Sequence, residues 1–600
     1  MSQVIAKDNT SIGTNTVSDA STQLAKQMAV AFAQMAKVQG DDDKVLIQTS
    51  LALVLGALEN GKISVEMSRE YPSVGLATAE DWKARLLAAN VATDSKGFAP
   101  LIIHDDRLFL ARYFLYERQL QSQLSRMSSE TPPQDNQEQV LATLNRLFPA
   151  SDQSPNWQKV AAALALDKRL CIISGGPGTG KTTTVLRLLA ALCTNNADLR
   201  IKLAAPTGKA AARMQESIRL QMQDLDCDDA IKQQLDVPAS TLHRLLGYVH
   251  QSVKFRHQAD NPLALDVLVI DEASMIDTAL MAKCLEALPA HARLILLGDK
   301  DQLAAVDPGS PFADMCREQG FSQAFADRLH TLSEETVTAS VVAIPKPLGN
   351  NVVVLQHSYR FGVDSGIGKL ATAVNQGKQD NAWALLEGGQ FADIAWQDYQ
   401  PSDYRKARGQ SHGQAQDPLQ LRIQAGFKNY MAALQQKTSI KDIFTQFSQF
   451  CVLAAVHKGF SGRIDTNALC EEALFGHKQK AHWFHGRPII VSKNNYQTNL
   501  YNGDVGLCLD MQGDGNLRVY FPTTDGFKDF TPSRVPEHET AFAITVHKSQ
   551  GSEFENVLLL LPDVKSKILT KSLVYTAITR AKSHVEIWGK KAVFLGVESE

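Results

Sequence analysis

The chain is poor in the residues that would mark several protein classes. Its eight cysteines (Cys171, Cys193, Cys227, Cys284, Cys316, Cys451, Cys470 and Cys508) are scattered, and none forms a Cys-x-x-Cys pair. That pattern argues against a zinc or iron–sulfur site and for reduced, mostly buried thiols. The fifteen histidines include no His-Glu-x-x-His or similar spacing. No apolar run approaches the roughly 20 residues that span a bilayer. Residues Met1 to Ser21 are polar and rich in Ser and Thr, without the basic start and apolar stretch of a signal peptide. They read as a disordered tail on a cytoplasmic protein. Strong charge is missing too: the net charge is −3 and the pI about 6.6. This excludes a chain coated in basic surface, but not a narrow channel lined by local Lys and Arg.

What is present is a long globular sequence. Its 600 residues are 44% hydrophobic and 21% charged, which as a length prior suggests about four domains. Residues 22–130 carry Ala, Leu and Met at helical spacing, with a short β-like segment, Phe98 to His104. The stripe in Leu108 to Glu117 reads as core. Thr131 to Asn136 is a polar, proline-bearing linker. Residues 137–330 alternate strand and helix signals, as a parallel α/β sheet does. Residues 319–350 look irregular. A second α/β region follows from about 351, interrupted by a polar stretch, Asp398 to Pro418, that reads as a surface insertion. Residues 486–540 are dense in strand and turn signals, with Asn502-Gly503 a candidate type I′ hairpin turn. No internal repeat or heptad run is present.

The most informative segment is Gly175-Gly176-Pro177-Gly178-Thr179-Gly180-Lys181-Thr182, which fits G-x-x-x-x-G-K-[ST]. Leu170 to Ser174 reads as a buried strand before it, and Thr183 to Cys193 as a helix after it. In that context the loop's N–H groups and the helix N-terminus converge on phosphate oxygens. Lys181 would neutralise the β- and γ-phosphates, and Thr182 would ligate Mg²⁺. A glycine turn that binds nothing is the alternative.

Further candidates follow. Val267 to Ile270 is an apolar strand ending in Asp271 and Glu272. Asp271 would hold Mg²⁺ through its water shell, and Glu272 would polarise an attacking water. Arg293 to Gly298 is another buried strand, followed by Asp299 and Gln302. The glutamine either contacts the γ-phosphate or merely occupies a polar turn. Thr207 and Lys209, after Pro206, begin a helix suited to a nucleic-acid phosphate. Thr241 and His243 form a second such cluster. Either cluster could equally be structural capping.

These segments fall in the order of superfamily-1 helicase motifs. The series continues with Ser358-Tyr359-Arg360-Phe361, then Ala543 to Gly551, then Val574 to Ala581. From about Asn156 to Trp588 the chain resembles the RecD family, the alpha subunits of RecBCD helicase–nucleases (exodeoxyribonuclease V). Gly486 to Ile490 and Tyr501 to Gly506 extend the match beyond the motor motifs. The resemblance implies an α/β fold of two RecA-like P-loop motor domains, at 137–345 and 351–600. It also implies a hairpin insert at about 247–260 and an SH3-like barrel insert at about 486–540. Residues 22–130 would be a mainly helical, partner-docking N-terminal domain, behind a disordered tail at 1–21.

By resemblance, Gln158 reads adenine and Gly175 to Thr183 bind the nucleotide, Thr183 included. Lys181, Glu272, Gln302, Arg360 and Arg580 are catalytic, with the two arginines reaching the γ-phosphate from the second motor domain. Thr182 and Asp271 hold Mg²⁺. Thr207, Lys209 and His243 in the first motor domain, and Thr545, His547 and Lys548 in the second, contact DNA. The implied activity is ATP-driven 5′→3′ unwinding of DNA ends, with RecB- and RecC-like partners, in recombinational repair of double-strand breaks.

Three rival readings share parts of this pattern. A free-standing helicase with the same motor is the nearest, although such relatives usually carry a long N-terminal extension with helix–hairpin–helix repeats. A structural subunit with a decayed loop would not need every polar residue of the series. A small-molecule kinase would leave Arg360, Arg580 and Thr545 to Gly551 unexplained. No cluster of acids plus lysine suggests two-metal phosphodiester cleavage, so nuclease activity is expected in another subunit.

Overall fold

The computed structural model describes residues 19–597, apart from 37, 39, 95–96, 131–135, 150–153, 197, 250–251, 341–346, 363, 401–416, 477–480, 496 and 524–525. The tail expected at 1–21 lies outside the described residues as far as 18, and Asp19–Met35 is a helix. The linker at 131–135 and most of the insertion expected at Asp398 to Pro418 also lie outside them. The residues flanking that insertion meet in the core, where Tyr399 Oη donates to Asp417 Oδ1 at 3.1 Å.

The N-terminal region is helical with a small sheet. Helices Asp19–Met35 and Asp41–Glu59 pack together. Four short strands follow in the order Ser64–Glu66, Arg107–Leu110, Leu101–His104, Ala92–Thr93. Trp82, fully buried, anchors this region, and its indole N–H donates to Ser50 Oγ at 2.8 Å. The last helix, Ala111–Ser129, leaves the small sheet and packs against helix Thr278–Glu286. Its Leu120, Leu124 and Met127 join the core beneath the next sheet.

That sheet has six strands in the order Val352–Leu355, Leu170–Gly175, Arg293–Gly298, Val267–Ile270, Ile201–Ala205, Ala239–Thr241, and every neighbouring pair is parallel. Helices cover both faces, so its central strands are apolar throughout rather than alternating. A second parallel sheet has the order Ile394–Asp398, Ala581–Gly589, Phe554–Leu560, Phe450–Ala454, Ala543–Thr545. Between its strands Phe450–Ala454 and Ala543–Thr545 the chain builds an antiparallel sheet of five strands, in the order Gly526–Phe530, Arg518–Thr523, Val505–Leu509, Arg487–Val491, His538–Thr540. It has its own small core of Ile489, Val491, Cys508, Val519, Phe521 and Phe530.

Three expectations need correction. The second α/β region does not begin at 351, because Val352–Leu355 pairs with Ile172–Gly175 and closes the edge of the first sheet. Residues 319–350 are not uniformly irregular: Gln323–Ser333 is a helix capped by Ser322, with Phe325, Ala326, Leu329 and Leu332 in the core. Asn502-Gly503 is not a type I′ turn. Asp504 N–H donates to Tyr501 O at 3.0 Å and only Gly503 has positive φ, at 96°, which is type II geometry. The expected hairpin insert is closed by an antiparallel bridge between Tyr248 and Phe255. Gly247 starts it at φ 73°, with its carbonyl accepting from Arg256 N–H.

Candidate functional site

The buried strand Leu170–Gly175 delivers the glycine loop to the N-terminus of helix Lys181–Asn195. Gly178 and Gly180 both sit at positive φ, 76° and 77°, where a side chain would be strained. At Gly178 close approach also demands glycine, because a Cβ there would lie 2.3 Å from Arg360 Cβ, whereas one on Gly180 would meet the movable amide end of Gln158. Lys181 folds back over the loop, donating from Nζ to Gly175 O at 2.6 Å and Gly176 O at 3.1 Å. Thr179 Oγ1 donates to Gly176 O at 2.8 Å, which fixes the loop's curvature.

Three cavities surround this loop, and Thr179 borders all of them. The first, about 520 Å³, is lined by Trp157, Gln158, His357 and Tyr359. Gln158 sits at its wall, with Nε2 donating to Thr179 O at 3.1 Å, while its helix is capped by Asn156. The second, about 930 Å³, is the cleft between the sheets. The third, about 230 Å³, gathers Lys181, Thr182, Thr183, Asp271, Glu272, Gln302, Arg360 and Arg580. Residues that the sequence separates by some 400 positions thus share one small space with the N-terminus of a 15-residue helix.

The acids at the end of Val267–Ile270 are placed by a sharp bend. Glu272 has φ 53°, a left-handed conformation that costs a non-glycine residue about 1 kcal/mol and sets both carboxylates on the same cavity. Burial, and then the neighbouring Glu272, raise the pKa of Asp271, while Lys181 opposes the shift. Oxygen donors from Thr182 and Asp271 beside an unfavourably placed second acid suit a hard divalent cation, which would relieve that repulsion.

Asp299, buried at the end of Arg293–Gly298, accepts from Gln302 Nε2 at 3.0 Å and from Tyr575 Oη at 3.1 Å. Burial raises its pKa, with Lys181 opposing. Gln302 therefore faces the cavity with its amide already oriented. The same turn ties the sheets together, because Leu303 N–H donates to Thr576 Oγ1 at 2.8 Å and Gln550 Nε2 donates to Leu303 O at 2.6 Å.

Arg580, on the turn before strand Ala581–Gly589, is buried and donates to Thr576 O and Ser552 O. Arg360 does not lie on the second sheet. It sits on the crossover from strand Val352–Leu355 to helix Gly366–Asn375, which packs on the second sheet's core. That crossover lies directly on the glycine loop: Tyr359 N–H donates to Gly178 O at 2.8 Å and Ser358 Oγ to Pro177 O at 3.1 Å. Arg360 Nη2 pairs with Glu553 Oε1 at 2.5 Å, and Glu553 also pairs with Arg213. Sequence reasoning missed Arg213, Glu553 and Tyr575 as site residues. The one available signal was an acid at the end of the otherwise basic or neutral run Thr545 to Ser552.

The candidate DNA residues are arranged more loosely. Thr207 caps helix Gly208–Met222, its Oγ1 accepting from Ala210 N–H at 3.2 Å, and Thr545 Oγ1 accepts from Lys548 N–H at 3.4 Å. Each hydroxyl keeps its own hydrogen to donate elsewhere. Lys209 and Lys548 line one cavity of about 480 Å³ beneath the antiparallel sheet, together with Asp504 and several phenylalanines. Burial lowers the pKa of Lys209. Lys548 is paired with Glu539, at 2.5 Å. His547 is half-buried and its pKa lowered by that burial. His243 lies apart from this cavity, its ring edge-on to Phe255 of the hairpin at 5.6 Å.

Comparison with known proteins agrees with this geometry. A model of the AAA domain matches residues 158–308, and one of the UvrD-like helicase C-terminal domain matches residues 540–587. The RecBCD enzyme subunit RecD of Haemophilus influenzae is 32% identical over 87% of this chain and 83% of its own length. The chain belongs to the RecD family. The RecBCD enzyme subunit RecD of Mycolicibacterium smegmatis is 33% identical, covering 96% of this chain and 95% of that protein. The ATP-dependent RecD2 DNA helicase of Deinococcus radiodurans is 28% identical over 85% of this chain and 58% of its own length. No helix among the described residues is long and apolar enough to cross a membrane.

Proposed function

We propose that this RecD-family chain is an ATP-dependent DNA helicase that acts as a subunit of a RecBCD-type complex, with RecB- and RecC-like partners. The observation that carries the reading is the 230 Å³ cavity, where the glycine loop and the acids of one parallel sheet meet Arg580 of the other. A cation delivered across a cleft stabilises transition-state charge only while the cleft is closed. Loss of the γ-phosphate loosens that grip, and hydrolysis becomes relative motion of the two sheets.

In this mechanism the adenine base occupies the 520 Å³ cavity against Gln158 and the rings of Trp157 and Tyr359. The triphosphate follows the glycine loop, where the N–H groups of 178–183 and Lys181 hold its oxygens. Thr182 and Asp271 would hold Mg²⁺, which neutralises phosphate charge. Glu272 orients the attacking water and accepts its proton. Gln302 senses the γ-phosphate through the turn that also binds Thr576 and Gln550. Arg360 and Arg580 stabilise the charge that develops on the transferred group.

Thr207, Lys209, Thr545, His547 and Lys548 hold single-stranded DNA across the tops of both sheets, and His243 contacts DNA from the base of the hairpin. Alternating grips then move the strand, in the 5′→3′ direction of the family. The subunit reading is preferred over a free-standing helicase because identity to the RecD subunits, 32–33%, exceeds that to RecD2, 28%.

The test is ATP turnover by the purified chain with and without oligo(dT), beside co-purification with RecB- and RecC-like proteins. Stimulated turnover and a stable complex support the reading. Turnover indifferent to DNA overturns the motor, and complete unwinding by a chain that ignores those partners overturns the subunit role.

A further inference from the structure

Helix Gly208–Met222 begins at Thr207 and Lys209, and one turn further on it carries Arg213 to the nucleotide cavity. Arg213 Nη2 pairs with Glu553 Oε2, and its Nη1 approaches Gly551 O at 3.5 Å. The other carboxylate oxygen of Glu553 accepts from Arg360 Nη2 at 2.5 Å. One carboxylate therefore holds two arginines: one from the helix that starts at the candidate DNA residues, the other from the segment lying on the glycine loop.

The clasp is sheltered at its carboxylate and open at Arg213. The Glu553 side chain is 12% exposed, that of Arg360 20% and that of Arg213 41%. Burial works against ionisation of Glu553, but Arg213 and then Arg360 overcome it and hold the carboxyl down to about 2. Two guanidiniums against one carboxylate leave one positive charge in excess at the cavity. Arg360 Nη1 is buried and has no hydrogen-bond partner among the described residues. A buried charged donor in that condition favours an anion strongly, and Arg360 lines the same cavity as the glycine loop, where a phosphate would bind.

The two arginines compete for the same two oxygens. If Arg213 takes both, in the bidentate fork that guanidinium and carboxylate prefer, Arg360 is set free. We propose that Glu553 is a positioning residue that couples DNA on helix Gly208–Met222 to the nucleotide. It withholds Arg360 from the γ-phosphate until DNA draws Arg213 fully onto the carboxylate. The inference rests on the DNA-motor reading above, and it assigns the route by which DNA accelerates hydrolysis.

The test compares steady-state ATP turnover of the full chain, with and without oligo(dT), for wild type, Glu553→Gln, Arg213→Ala and Arg213→Lys. Glu553→Gln frees Arg360 permanently, so DNA-free turnover rises. Arg213→Ala leaves Arg360 locked on Glu553, so DNA-saturated turnover falls towards the DNA-free rate. Both changes lower the stimulation ratio by about fivefold or more, the lower end of ordinary coupling between sites, and Arg213→Lys restores part of it. Opposite movements of the two rates are something a merely structural role does not produce. A wild-type ratio in both variants overturns the inference, as does a proportional loss of both rates. Absence of stimulation in the wild type instead overturns the motor reading itself.

Discussion

The nucleotide side of the cleft and its DNA side are built on different principles. On the nucleotide side, backbone does most of the positioning: two glycines at positive φ, a bent Glu272 and a crossover bonded to the loop's own carbonyls. On the DNA side, two of the candidate residues are side chains with internal partners that DNA would have to replace, Thr207 with Ala210 and Lys548 with Glu539. A loop that holds the reacting phosphates must be fixed before its substrate arrives. A track that grips and releases a strand works better with contacts that exchange for internal ones at little net cost.

That contrast can be broken by mutation, and the largest effect belongs to the fixed side. Lys181→Gln removes the cation folded over the loop, and DNA-stimulated ATP turnover is expected to fall by about a hundredfold or more. Gly178→Ala adds only a methyl, but it strains the loop and pushes on Arg360 Cβ from 2.3 Å. Turnover is expected to fall on the order of tenfold, more in kcat than in KM, because misplacing a reacting group by about 1 Å is costly.

Acid titration sharpens the comparison next. Glu553 is held at about 2, against an ordinary value of 4.5. Because the folded value is the lower one, its contribution is complete above about 4.5 and is lost as the pH falls from there through about 2. The difference in unfolding free energy between wild type and Glu553→Gln should therefore shrink over that window, by about 3 kcal/mol in total. A difference that is constant with pH would contradict the clasp.

The exchangeable side should respond least. Lys548→Ala is expected to weaken single-stranded DNA binding a few-fold and to reduce the salt slope by about 0.7. Glu539→Gln releases the same lysine from its half-buried partner, and Arg463 with it, so it should tighten DNA binding about two- to threefold, within the range of a single ion pair. If Glu539→Gln weakens binding instead, the pair is part of the grip rather than its competitor.

The sequence was most legible where the chemistry is local. The loop, its strand and its helix are contiguous, and the two acids follow their strand directly, so spacing alone brought them forward. Glu553 and Tyr575 were missed because their meaning depends on partners far away in the chain, such as Arg360, 193 residues from Glu553. The strand Val352–Leu355 reads equally well as the start of a second sheet, and only its pairing with Ile172–Gly175 assigns it to the first. Asn502-Gly503 suits type I′ and type II turns alike, and the bonds of Tyr501 and Asp504 decide between them. The helix Gln323–Ser333 did carry a signal, an apolar stripe behind a Ser cap, that the neighbouring proline-bearing stretch obscured.

The central claim is that the cavity beside the glycine loop is one hydrolysis site, completed by Arg360 from the crossover that lies on the loop and by Arg580 from across the cleft. ATP affinity and DNA-saturated turnover of wild type, Arg360→Ala and Arg580→Ala test it most directly. The account predicts nucleotide affinity within about threefold of wild type and turnover lower by on the order of a thousandfold in each variant. Turnover that survives both substitutions would contradict it.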